Sequence, residues 1–99
     1  MKRIKTQKEI RFIDGTILAK GTSVLVEPRP TSDSKCVIAT DSGQRYTLGW
    51  GSIIKPPTLP TIGKYCQNGY AKTPFGKRVE PDGYDEYGAP SWPLVMGFI

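Results

Sequence analysis

The sequence predicts an all-β protein: a small closed barrel of five short strands, followed by an extended C-terminal arm rich in Pro, Gly and aromatic residues. Three observations carry that expectation. Eleven Gly and nine Pro make 20 of 99 residues, against a usual share of ~12%, which favours short strands and turns over helices. Apolar residues in the first sixty positions recur in short runs bounded by turn residues, and no window of eleven there keeps a helical period. Five such strands in little more than fifty positions bury a common apolar side only by curling into a barrel or orthogonal sandwich. A chain of this length supports one small core.

The elements follow in order. Residues 1–8 form a basic arm containing Lys2, Arg3, Lys5 and Lys8. Glu9 to Phe12 alternates polar and apolar residues, and Asp14-Gly15 suits the positive-φ positions of a tight hairpin turn. Thr16 to Lys20 returns, and Thr22 to Glu27 is a stronger strand with Val24 and Val26 on one face. Pro28 and Pro30 end that ladder because neither can donate a backbone N–H, and Pro28 to Lys35 reads as a mobile polar loop. Lys35–Thr40 and Gln44–Leu48 make a second hairpin around Asp41-Ser42-Gly43, where a three-residue connection ending in Gly fits a type I turn plus a left-handed bulge residue. Gly49 to Ser52 reads as one tight turn, Ile53–Lys55 as the last strand, and Pro56-Pro57 as its stop. The core expected from this pattern is Ile10, Phe12, Ile17, Leu18, Val24, Val26, Val37, Ala39, Tyr46, Leu48, Ile53 and Ile54.

The early hairpin at Asp14-Gly15, the glycine-led Val24–Val26 strand, the Asp41-Ser42-Gly43 hairpin and the one-turn element before Ile53–Lys55 together resemble the SH3-like small barrels. The resemblance covers residues 9–57 and is one of architecture, without a diagnostic motif. Residues 58–99 differ in character. They hold seven of the ten aromatics, too many for simple disorder, while Pro60, Pro74, Pro81, Pro90 and Pro93 argue against a long helix. Turn signals recur at Asn68-Gly69, Phe75-Gly76, Asp82-Gly83 and Tyr87-Gly88. The expectation is an arm with tight turns, its rings packed over the barrel or against a partner. The string from Gly76 through Trp92 resembles the tails of short phage and prophage proteins, which implies a viral, mobile-element origin and no particular activity.

Charge and chemistry narrow the function classes. Residues 1–78 carry all 14 bases against five acids, a net +9, and residues 79–99 carry four acids and no base. Histidine is absent, which removes Ser-His-Asp and Cys-His catalysis and histidine metal sites. Glu80, Asp82, Asp85 and Glu86 lack the spacing of a Ca²⁺ loop. Gly49-Trp50-Gly51 lacks the third glycine of a dinucleotide fingerprint, and Cys36 and Cys66 have no further ligand for zinc. No nucleophile–base pair is visible, so the expectation is a non-enzymatic protein with no metal, no cofactor and no small-molecule substrate. The basic start leads into no apolar stretch of signal or membrane-span length. Two cysteines are few for a secreted domain, so a cytoplasmic location with reduced thiols is expected, one Cys36–Cys66 bridge being the alternative.

Two partner classes remain. The first is protein, a second copy of the chain included, held through the aromatic C-terminal arm: Tyr84, Tyr87, Trp92, Leu94, Met96 and Phe98 are the candidate anchors. The alternative is nucleic acid, held by bases interleaved with rings: Lys2, Arg3, Lys5, Arg45, Trp50, Lys72, Lys77 and Arg78, with Tyr65, Tyr70 and Phe75 repeating the mixture. A minor structural role in a virion is a third reading.

Overall fold

In the computed structural model of the chain, which describes residues 1–29 and 31–99, four strands form an open antiparallel sheet instead of a closed barrel. They are β1 (Lys2–Lys5), β4 (Ser23–Pro28), β5 (Lys35–Ala39) and β6 (Arg45–Gly49), in the order β1-β4-β5-β6. Two short strands, β2 (Ile10–Arg11) and β3 (Ile17–Leu18), make a separate hairpin closed by Gly15 at φ +90°. Pro30, expected to help end the ladder, lies outside the described residues; Pro28 is the last residue of β4, past the point where β1 has ended at Lys2 opposite Val26.

The barrel expectation fails at both of its ends. Residues 2–5 are not a free basic arm: Arg3 pairs with Leu25 and Ile4 with Val24, so the N-terminal segment occupies the sheet edge. Ile53–Lys55 is not a closing strand. The chain turns at Gly49 into a one-turn helix, α1 (Trp50–Ile53), and Ile54 is extended but joins no sheet.

The mixed α/β second half supplies the cover that curling was expected to provide. Helix α2 (Leu59–Asn68) leads to a hairpin of β7 (Ala71–Lys72) and β8 (Arg78–Val79), and α3 (Trp92–Val95) follows a folded loop. Pro60 and Pro93 sit in the first turn of α2 and α3, where the missing N–H has no partner within the helix anyway. Asn68-Gly69 ends α2, with Gly69 left-handed at φ +73°.

One apolar cluster draws on both halves. Val24, Val26, Cys36 and Ile38 from the sheet meet Ile10, Leu18, Trp50, Ile53, Ile62, Ala89, Trp92 and Val95. Phe12, Tyr46, Leu48 and Ile54 pack against it as expected, while Ile17 is exposed. In β5 the inward residues are Cys36 and Ile38, not Val37 and Ala39. Both parities of Cys36-Val37-Ile38-Ala39 are apolar, so pattern alone does not choose; the pairing of Val26 with Ile38 does. Among the described residues no helix is long and apolar enough to cross a membrane.

Candidate functional site

The loop between β8 and α3 is organised around one carboxylate. Asp85 Oδ1 accepts from the backbone N–H groups of Tyr87 (2.9 Å) and Ala89 (3.0 Å), and Oδ2 accepts from the hydroxyl of buried Thr73 at 2.7 Å. A backbone bridge pairs Tyr84 with Pro90, and Gly88 completes the turn at φ +80°. Ser91, fully buried, donates its hydroxyl to the Pro81 carbonyl and receives the Leu94 N–H at 3.3 Å as the N-cap of α3. Asp85 and Ser91 therefore fix the loop that carries Tyr84 and Tyr87.

That loop faces the end of β4 and the start of the β4–β5 connection across a cleft of about 400 Å³. Tyr84, Tyr87 and Pro90 form one wall and Pro28 stands opposite, with Glu27, Arg29 and Asp33 at the rim. Tyr84 is 54% exposed, and its hydroxyl donates to Asp33 Oδ1 at 2.9 Å. That bond, with burial and the Asp33 charge behind it, raises the Tyr84 phenol above its ordinary pKa. Asp33 Oδ2 accepts no hydrogen bond among the described residues. Tyr87 is half-buried beneath two cations, Lys2 Nζ at 5.0 Å and Lys77 Nζ at 5.7 Å from its ring centre. Lys77 also pairs with Glu86 at 3.1 Å.

The sequence-predicted anchors thus separate. Tyr84 and Tyr87 come together in the cleft. Trp92 is 5% exposed and belongs to the core, so it has no surface to offer a partner. Leu94 and Met96 are half-buried, Met96 against that core, and Phe98 is 53% exposed beyond the end of α3. Sequence reasoning missed Glu27, Pro28, Asp33 and Pro90 as wall and rim residues. Pro28 and Asp33 were visible only as loop-formers, and nothing local to them signals the partner loop more than fifty positions away.

The nucleic-acid set separates further. Arg3, Lys5 and Arg45 share the outer sheet face, where Arg3 lies 3.3 Å from Asp41 and Arg45 lies 2.9 Å from Glu27. Lys2 and Lys77 flank Tyr87, and Lys72 and Arg78 stand on the β7–β8 hairpin. Trp50 is wholly buried, its ring edge-on to Phe75 at 5.3 Å and its indole N–H without an acceptor among the described residues, so no base can stack on it. Cys36 and Cys66 are both free: Cys36 is buried in β5, where desolvation pushes its thiol up to about 12, and Cys66 is exposed on α2.

Compared with known proteins, the chain matches no family model, no curated protein and no solved structure.

Proposed function

We propose that this is a non-enzymatic binding protein that takes an extended, proline-bearing segment of a protein partner into the cleft between the β4–β5 connection and the loop of residues 84–90. Rings set beside prolines present flat apolar walls, and a polyproline-type ridge fills such a groove with little ordering entropy of its own. Asp33 at the rim suits a Lys or Arg flanking that ridge, its second oxygen being available to accept from it, whereas Glu27 is already paired with Arg45. The carrying observation is Tyr84: more than half exposed, yet pinned by Asp33 on a loop that Asp85 holds rigid. An exposed ring already fixed in place loses little rotamer freedom when a partner covers it.

The test is a screen of the full chain against a displayed peptide library, followed by affinity measurements on the enriched sequences. Enrichment of proline-containing peptides with a nearby base, and a loss of about tenfold or more on Tyr84→Ala in a variant that still melts cooperatively, is the expected result. A library that enriches no such peptides, or a Tyr84→Ala variant that binds them as the parent does, removes the reading.

A further inference from the structure

The outward face of the β7–β8 hairpin combines features that the cleft does not use. Strand alternation buries Ala71 and turns Tyr70 and Lys72 to the opposite side. The register then sets Lys72 directly across from Arg78. Two cations facing one another on a two-stranded hairpin repel, and neither belongs to an ion pair among the described residues. Instead the Arg78 guanidinium lies 3.9 Å from the centre of the Tyr70 ring. Tyr65, half-buried against the core on the inner side of α2, backs Tyr70 from 6.3 Å with its ring tilted by 47°, so Tyr70 is the ring that this face presents. Arg3 and Arg45, two other bases named from the sequence, are arranged differently, each neutralised by a carboxylate, at 3.3 and 2.9 Å.

We infer that this face, Tyr70–Arg78–Lys72 with Tyr65 behind it, is a binding platform for single-stranded nucleic acid. A phosphate between Lys72 and Arg78 relieves their repulsion, and a planar guanidinium resting on a tyrosine ring continues the stack to an unpaired base. A duplex keeps its base faces covered and has no use for the rings, so the platform discriminates by strandedness and not by sequence. None of its residues lines the cleft.

The experiment titrates the full chain into fluorescein-labelled dT12 and U12 at low salt, with a duplex of equal length and heparin as competitors. Single strands bind in preference to the duplex, and heparin displaces them only by charge. Lys72→Ala with Arg78→Ala weakens binding about tenfold and flattens the log affinity against log salt slope by roughly 1.4, the share of two phosphates on a single strand. Arg78→Lys keeps the charge and the slope but loses the stack, weakening binding severalfold, whereas Tyr70→Phe binds as the parent. Arg3→Ala with Arg45→Ala leaves affinity within twofold. The inference is overturned if duplex and single strand bind alike, if Arg78→Lys equals the parent, or if the sheet-face pair carries the loss instead.

Discussion

Tyr84 shows how one hydrogen bond can give an exposed side chain a fixed direction. Its phenol donates to Asp33, fifty-one positions earlier, and that bond is the largest contribution to its raised pKa. The sign follows: the folded chain holds the phenolic proton more tightly than the unfolded chain, so the linked stabilisation is full below the ordinary tyrosine pKa of about 10 and disappears as pH rises through the folded value. A spectrophotometric titration at 295 nm is expected to show two tyrosines ionising late, Tyr84 and the desolvated Tyr65, and Asp33→Asn to bring one of them back toward the ordinary range. An unchanged titration in Asp33→Asn would mean the bond does not set the phenol. Residue chemistry of this kind was half legible in the sequence. Tyr84 and Tyr87 stood out as rings in a glycine-rich stretch, but Asp33 is an unremarkable loop acid until the fold brings it to the phenol.

At the scale of elements, hairpins were legible and helices were not. Asp14-Gly15 and Asp41-Ser42-Gly43 carry their own turn chemistry, and the structure has hairpins at both, with Gly15 and Gly43 at positive φ. Asn-Gly serves equally as a hairpin turn and as a helix stop, and only what precedes it decides. Here Ile62 and Tyr65, three apart, give α2 its inner side, while Gly63 in its interior weakens the helical signal. Gly63 is exposed, has no positive φ, and an added Cβ would meet nothing within 4 Å. Gly63→Ala is therefore expected to stabilise the protein by about 0.5–1 kcal/mol, read as a raised denaturation midpoint with an unchanged slope. A neutral or destabilising result would mean that α2 is already frayed in the folded state. The prolines argue against a long helix, and α2 and α3 are short; what that reading leaves out is that Pro60 and Pro93 fall in a first turn, where a short helix accepts them.

For the whole molecule, the decisive fact is that the ring-rich second half is structural before it is functional. A sheet with one apolar face must be covered, and sequence alone does not say whether the strands cover themselves or a later segment does it. The balance lies with Trp50, Ile62, Ala89, Trp92 and Val95, which join Val24, Val26 and Ile38 in a single cluster. Trp92→Ala is expected to cost about 3–5 kcal/mol, a large part of the 5–15 kcal/mol typical of a domain. Removing residues 90–99 should therefore abolish the cooperative melt followed by circular dichroism. A truncated chain that melts as sharply as the parent would show that the sheet needs no such lid. The same arrangement bears on how the protein is made. Forty-six residues separate the end of β6 at Gly49 from the close of α3 at Val95, so at roughly 5–20 residues per second the ribosome needs roughly 2–9 s to deliver the lid after the last strand. Throughout that interval the nascent chain carries an uncovered apolar strand face, and its solubility during translation rests on whatever shields that face until Trp92 arrives.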